Sequence, residues 1–221
     1  MELTPQDIAG HIDHTLLRPD ATAADLEKTC AEAVRHGFFG VCVNPSLISL
    51  ASWLLRDRTP VPVAVVGFPL GATLPEVKMC EAREAVCRGA QEIDMVMNIG
   101  AFKAQDFRAV AKDIRTVVEA VQDRPVKVIL ETGLLSDAEI VEACGICVDA
   151  GAAFVKTSTG FGPGGATVEH VRLMREIVGP DVGVKASGGI RTFEEAVAMI
   201  EAGASRIGAS ASVAIVTEPE A

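Results

Sequence analysis

Two lysines in this chain stand where apolar runs end, and their side chains could do chemistry there. In "GAAFVKTSTGFG" (151–162) the apolar run ends in Lys156, which three hydroxyl residues and a glycine follow. In "VGVKASGGIR" (182–191) Lys185 ends a second apolar run in the same way. A lysine at the end of a buried strand is costly unless its amine is used, because burial disfavours the charged form.

The spacing of these lysines predicts imine chemistry. They have the same parity on consecutive predicted strands, which lie about 4.8 Å apart in a sheet. Each ammonium disfavours the charge of the other and burial acts in the same direction, so one pKa can fall from ~10.4 towards neutrality. A neutral amine can attack a carbonyl and form a Schiff base, an electron sink for carbon–carbon cleavage. Asp94, two strands earlier, could then move protons on and off the carbinolamine.

An alternative interpretation gives the lysines no covalent role. One of them would only contact a phosphate, and the other would pair with Asp94 or Glu131. The pattern alone leaves this alternative open.

Short β-branched runs alternate with amphipathic helical patterns along the chain. Gly37, Gly89, Gly151 and Gly203 each close a helical pattern just before every second strand. Eight βα units in 221 residues predict a single-domain (β/α)₈ TIM barrel over residues 1–221, with a doubly wound open sheet as the alternative. The predicted strands are His11–Thr15, Gly40–Asn44, Val63–Phe68, Glu92–Asn98, Lys127–Thr132, Phe154–Thr157, Gly183–Ser187 and Arg206–Ala209.

In such a barrel the functional groups lie at the carboxyl ends of the strands. "SGGIR" (187–191) and "GASAS" (208–212) follow the last two strands, and their small residues let backbone N–H groups converge on an anion. We therefore predict a phosphate site in these two loops. The substrate contacts predicted from the strand ends and these loops are Asp13 and Thr15, for substrate hydroxyls, with Thr157, Ser187, Gly188, Gly189, Gly208 and Ser210.

Neither a metal nor a cofactor is predicted. In "HIDH" (11–14) the two histidines have opposite strand parity and no His or Cys partners follow. "CGIC" (144–147) lies late in a predicted helix, away from the N-terminus that would activate a thiolate, which indicates buried packing. Cys42 ends the second strand and could face the site without being catalytic.

Composition limits the partners. The formal net charge is −10 and Lys/Arg clusters are absent from the sequence, which argues against nucleic acid but not against a small phosphorylated substrate. The N-terminal stretch "MELTPQDIAGHIDHT" lacks the basic and apolar regions of a signal peptide, and no apolar run approaches the ~18 residues of a membrane span. Six cysteines without an export signal suggest reduced thiols, so we expect a cytoplasmic protein.

Eight motifs taken in order resemble the deoxyribose-phosphate aldolase family, and they extend over nearly the whole chain. They are "DHTLL" (13–17), "VCVNP" (41–45), "VVGFPLG" (65–71), "EIDMVMNIG" (92–100), "KVILETG" (127–133), "FVKTSTGF" (154–161), "VKASGGIR" (184–191) and "RIGAS" (206–210).

The resemblance implies a TIM barrel and a metal-independent class I aldolase, expected to be a homodimer. Such an enzyme reversibly cleaves 2-deoxy-D-ribose 5-phosphate to D-glyceraldehyde 3-phosphate and acetaldehyde. It implies that Lys156 forms the Schiff base, that Lys185 lowers the pKa of Lys156, and that Asp94 belongs to the proton relay. It also implies the following substrate contacts: Asp13 and Thr15 at hydroxyls, and Gly160, Gly188, Gly189 and Ser210 at phosphate.

The chain departs from this family at three places. Ala211 stands where the family often has a second serine, and Gly162–Pro163 stands where related loops often carry hydroxyl residues. The sequence contains no tyrosine, whereas some members end in a tyrosine that reaches the site. Two rival functions remain at this point: a phosphate-binding barrel isomerase or synthase without imine chemistry, and a sugar-phosphate-binding sensor or assembly subunit without turnover.

Overall fold

The computed structural model describes residues 3–217, which form eight parallel strands closed into a barrel in chain order. Strand β1 pairs with both β2 and β8, which confirms the TIM barrel and excludes the open sheet. The strands are β1 (Ile12–Leu16), β2 (Gly40–Val43), β3 (Val61–Val66), β4 (Glu92–Val96), β5 (Val126–Ile129), β6 (Phe154–Lys156), β7 (Gly183–Ser187) and β8 (Arg206–Ala209).

Helices surround the barrel, and the four glycines predicted to end helical patterns all have positive φ, from 70° at Gly37 to 109° at Gly203. Glycine tolerates this conformation without a steric penalty, so each helix can stop just before its strand. The helices are α1 (Pro5–Ala9), α2 (Ala23–His36), α3 (Ile48–Leu54), α4 (Pro75–Cys87), α5 (Ile99–Lys103), α6 (Phe107–Val121), α7 (Asp137–Asp149), α8 (Val168–Val178), α9 (Phe193–Glu201) and α10 (Ser212–Val216).

Several predicted strands differ from the observed ones at their ends. Strand β3 begins two residues earlier than predicted, because Pro62 is accommodated near the start of the strand. Strand β5 ends at Ile129 rather than Thr132, because Glu131 has a φ of 57° and a short 3₁₀ turn follows. The prediction extended these strands through residues that form the loops of the barrel mouth.

The barrel interior has two chemically different sides. On β2 and β3 the inward residues Cys42, Val63 and Val65 form a small apolar cluster with Leu17. Each of the remaining strands carries at least one charged side chain that points inward. The alternate residues of every strand face outward and pack with the helices in the main hydrophobic core.

A buried ion pair ties two helices to the end of β4. Lys78 of α4 is fully buried and donates to Asp113 of α6 at 2.6 Å and to the carbonyl oxygen of Val96 at 2.9 Å. These bonds hold the strand end two residues after Asp94, although the sequence pattern gave no sign that Lys78 is buried.

Among residues 3–217, no helix combines the length and the apolar character needed to cross a membrane. The predicted domain, residues 1–221, begins and ends outside the described residues.

Close packing in the barrel interior should make Gly183 intolerant of a side chain. A Cβ at this position would lie 2.1 Å from Cδ1 of Phe154, whose ring is confined by Arg206 and Lys127. We expect Gly183→Ala to lower the free energy of unfolding by about 1–3 kcal/mol in urea titrations. Gly145→Ala is the matched control: it meets nothing within 4 Å in α7 and should raise the same free energy by about 0.5–1 kcal/mol. Equal effects of the two variants would contradict this account of the interior.

Candidate active site

The fully buried carboxylate of Asp94 accepts hydrogen bonds from three lysines. Lys127 reaches Oδ1 at 2.7 Å, while Lys156 and Lys185 reach Oδ2 at 2.7 and 2.8 Å. The strand register creates this arrangement, because Asp94 pairs with Lys127 across β4 and β5, and Lys156 pairs with Lys185 across β6 and β7. The structure therefore brings together the three residues for which the sequence predicted catalytic roles.

These groups belong to a larger buried charge network. Its members are Asp13, Glu92, Asp94, Lys127, Lys156, Lys185 and Arg206.

The cations of the buried charge network are unequally compensated. Within residues 3–217, Lys127, Lys185 and Arg206 each contact two carboxylates, whereas Lys156 contacts only that of Asp94. Four cations and three carboxylates would leave one excess positive charge if all were ionised, and an uncompensated buried charge is strongly unfavourable. A neutral Lys156 balances the network, and it is the least compensated of the four cations.

The two predicted site lysines have opposite pKa shifts. Burial lowers the pKa of Lys156, and the ammonium of Lys185 acts in the same direction against the opposing effect of Asp94. Burial alone would also lower the pKa of Lys185, but the carboxylates of Asp13 and Asp94 outweigh it and raise that pKa. Lys185 therefore stays an ammonium while Lys156 is disposed to supply a neutral amine.

A cavity of about 570 Å³ opens at the carboxyl ends of the strands and reaches Lys156. The sequence-predicted residues that line it besides Lys156 are Thr15, Gly160, Ser187, Gly188, Gly189, Gly208 and Ser210.

Four predicted site residues lie outside this lining: Lys185, Asp94, Asp13 and Thr157. The carboxylate oxygens of Asp13 pair with Lys185 and Arg206, and its predicted hydroxyl contact stays a prediction. The Thr157 hydroxyl donates to the carbonyl oxygen of Ser187 at 2.9 Å and accepts from its N–H at 3.0 Å, which joins the end of β6 to β7, and its predicted substrate contact likewise stays a prediction.

The loops after β6 and β7 pack tightly on each other. Gly188 and Gly189 have φ values of 89° and 85°, and Ala166 donates its N–H to the Gly188 carbonyl at 2.9 Å. A Cβ at Gly165 would lie 2.3 Å from that carbonyl oxygen. Glu131, whose role the sequence left open, accepts from the backbone and hydroxyl of Thr159 and so anchors the loop after β6.

Sequence reasoning missed Lys127, Glu92 and Arg206. Arg206 donates to Asp13 and Glu92 at 2.9 Å each, and its guanidinium lies 3.3 Å from the centre of the Phe39 ring. Each of the three stands at or next to the first residue of its strand, where a charge looks like a strand boundary. They occupy the same alternate, inward-facing positions of their strands as Asp94 and Lys185, and this alternation is the sequence signal that could have identified them.

The three cysteines that the sequence analysis singled out are buried and therefore unreactive. Cys42 is buried in the barrel interior, as its position in β2 suggested, and burial raises the pKa of its thiol to about 11. Cys144 and Cys147 are buried in α7, which agrees with a packing role, and burial raises the pKa of Cys144 to about 12. A thiol with a raised pKa is a poor nucleophile at neutral pH.

A barrel whose mouth presents a buried lysine of lowered pKa beside a relay carboxylate is the arrangement of an enzyme that forms imines with carbonyl substrates. The model of the DeoC/LacD family aldolases matches residues 8–217. The chain belongs to this family and is an aldolase, a carbon–carbon lyase.

Named relatives agree with this assignment. The chain is 58% identical over 215 residues to the deoxyribose-phosphate aldolase of Caldanaerobacter subterraneus subsp. tengcongensis, covering 96% of this chain and 93% of the relative. It is 57% identical to that of Thermococcus gammatolerans, with 95% of each chain covered. The tetrameric deoxyribose phosphate aldolase structure from Aeropyrum pernix superposes with a TM-score of 0.90 at 35% identity, covering 96% of this chain and 91% of the other.

Removal of Lys127 should show how far the ionisation of Asp94 depends on its lysine partners. The pKa of Asp94 lies well below its ordinary value because Lys127, Lys156 and Lys185 together outweigh the effect of burial. Its contribution to stability is therefore present above its unfolded pKa of about 4 and is lost as pH falls through the lower folded value. We expect Lys127→Met to lower the free energy of unfolding by about 3 kcal/mol at neutral pH. As pH falls, the further loss of stability should begin at a higher pH in this variant than in the parent protein.

Urea titrations across the acid pH range test this expectation. Lys103→Met, which removes the exposed partner of Glu139, is the control and should cost less than about 1 kcal/mol. An unchanged acid profile in Lys127→Met would show that Lys127 does not hold Asp94 ionised.

Proposed function

We propose that this protein reversibly cleaves 2-deoxy-D-ribose 5-phosphate to D-glyceraldehyde 3-phosphate and acetaldehyde through a Schiff base on Lys156. The observation that carries the proposal is the environment of Lys156, which borders the cavity, has a lowered pKa and contacts one carboxylate among the described residues. The 57–58% identical relatives are deoxyribose-phosphate aldolases by name, which supports the choice of substrate.

In the proposed mechanism the neutral amine of Lys156 attacks C1 of the open-chain aldehyde. Oδ2 of Asp94 lies 2.7 Å from Lys156 and 2.8 Å from Lys185, so it can pass a proton between the two nitrogens as the carbinolamine loses water. The C3 hydroxyl passes its proton through a water molecule to the carboxylate of Asp94, and the C2–C3 bond breaks. The protonated imine accepts the electron pair as an enamine, which is then protonated at carbon and hydrolysed to acetaldehyde.

Proton delivery to the enamine is assigned to the same groups. The 221 residues contain no tyrosine, so the groups already at the site are assigned this step. At rest Asp94 is ionised beside three lysines and Lys185 is charged, so Asp94 can take up the proton released from the C3 hydroxyl and return it to the enamine. This relay supplies the proton at a group that is already in contact with Lys156.

The phosphate is assigned to the loops after β6, β7 and β8. Gly160, Gly188, Gly189 and Ser210 all border the cavity, and the positive φ values of the three glycines turn the backbone sharply at this end. Such turns let successive N–H groups face an anion. Gly208 also leaves room for Lys185 of the neighbouring strand β7, because a Cβ at Gly208 would lie 3.0 Å from Cε of Lys185.

Two wider expectations accompany this function. The homodimer implied by the family resemblance stays a prediction, since the Aeropyrum pernix relative is described as tetrameric. Sedimentation equilibrium would distinguish the two states. A cytoplasmic location likewise stays a prediction from the sequence.

Treatment with acetaldehyde and sodium borohydride tests the imine directly. We expect one ethyl adduct per chain on Lys156, located by peptide mass, and loss of cleavage activity by about 10³-fold or more in Lys156→Ala. An adduct on Lys185 would reverse the roles of the two lysines. No specific adduct, with a control class I aldolase labelled normally, would favour the phosphate-binding isomerase.

Lys185→Met should shift the pH dependence of imine formation upward. The substitution removes the ammonium that disfavours charge on Lys156 and leaves Oδ2 of Asp94 to Lys156 alone, so both effects raise the pKa of Lys156. Each unit of this rise lowers the neutral fraction of Lys156 near pH 7 about tenfold. The rate of acetaldehyde imine trapping as a function of pH measures the shift, and a midpoint that falls or stays constant would contradict the assigned role of Lys185.

A further inference from the structure

A chain of hydrogen bonds outside the buried charge network joins three elements around His14. His14 of β1 is 4% exposed, and its Nδ1 lies 2.9 Å from the hydroxyl oxygen of Ser212, the first residue of α10. Its Nε2 lies 3.0 Å from a carboxylate oxygen of Glu32 in α2. The mechanism proposed above uses none of these three side chains.

His14 is bonded on both sides of its ring. Nδ1 shares a hydrogen bond with the Ser212 hydroxyl, whose oxygen also lies 2.8 Å from the carbonyl oxygen of Ala209. Nε2 lies 3.0 Å from a carboxylate oxygen of Glu32, and because a carboxylate only accepts, Nε2 donates the proton of that bond.

These bonds converge on the loop after β8. The bond from Ser212 to Ala209 closes the loop that carries Ser210, and His14 pairs with Ala209 in the strand register. The packing of the Phe38 ring, 5.3 Å from the ring of His14, restricts movement of the imidazole. The conformation of the loop therefore depends on a ring held from α2.

We propose that His14 is a positioning residue, which holds the loop of Ser210 through Ser212 in the conformation that binds the substrate phosphate. The proposal rests on the function proposed above. Because Ala211 offers no hydroxyl, the loop must bind the anion through Ser210 and the backbone, and both require a fixed loop conformation.

Two isosteric substitutions separate the contacts of His14. In His14→Asn the amide nitrogen can take the place of Nδ1 and keep the bond to Ser212. In His14→Gln the amide nitrogen can take the place of Nε2, which keeps the bond to Glu32 and loses the bond to Ser212. Ser212→Ala removes the same contact from the other side, and thermal melts establish that each variant is folded.

The measurements are the KM for 2-deoxyribose 5-phosphate, the inhibition constant of inorganic phosphate, and the rate of acetaldehyde trapping on Lys156. We expect His14→Gln and Ser212→Ala each to raise the first two values about tenfold, as the loss of a buried hydrogen bond predicts. Imine trapping should change less than about twofold, and His14→Asn should stay within about threefold of the parent protein. Because Ser212→Ala also removes the bond to Ala209, the double variant should be no worse than Ser212→Ala alone.

Three results would overturn the proposal. They are equal losses in phosphate inhibition and imine trapping, an additive double variant, and a His14→Asn variant as impaired as His14→Gln. Absence of the imine in the parent protein would instead refute the proposed function, and phosphate inhibition would still test the loop.

Discussion

The site depends on one interaction, in which a buried carboxylate accepts hydrogen bonds from three lysine side chains. Asp94 lies on β4, and its partners Lys127, Lys156 and Lys185 lie on the next three strands. The same contacts link four consecutive strands and decide which lysine can lose its proton. Structural and chemical roles therefore cannot be separated at Asp94, because a buried carboxylate without partners would be strongly destabilising.

Accommodating long charged side chains inside a narrow barrel constrains the neighbouring positions. Gly40, Gly183 and Gly208 stand next to Asp13, Phe154 and Lys185, and a Cβ at any of them would lie within 3.0 Å of its neighbour. Strands β2 and β3, on the apolar side of the barrel, contain one glycine, Gly40, which begins β2. The glycines of the last strands therefore follow from their large inward neighbours, Gly183 from the ring of Phe154 and Gly208 from Lys185.

The sequence predicted the barrel and its catalytic lysines because both leave local signals. Apolar runs that end in lysine mark Lys156 and Lys185, and the repeated helix-closing glycines reveal the βα units. Lys127, Glu92 and Arg206 gave no comparable signal, because their partners come from strands that only closure of the barrel brings near. The same reason explains Asp13, which looked free for substrate because nothing near it in the sequence announces Arg206. Strand ends were extended too far wherever the chain turned sharply, as at Glu131 with its φ of 57°.

Arg206 has a consequence for the route of the reactants in the proposed reaction. Its guanidinium lies between the rings of Phe39 and Phe154, at 3.3 and 5.5 Å, at the amino ends of the strands. These three side chains occupy the barrel at the end away from the cavity, so substrate and products enter and leave on the cavity side, where Lys156 is reached. The phosphorylated aldehyde leaves on that side first, since the two-carbon fragment is still joined to Lys156. This covalent bond makes product release sequential, with acetaldehyde the last to leave and, in the synthetic direction, the first to enter.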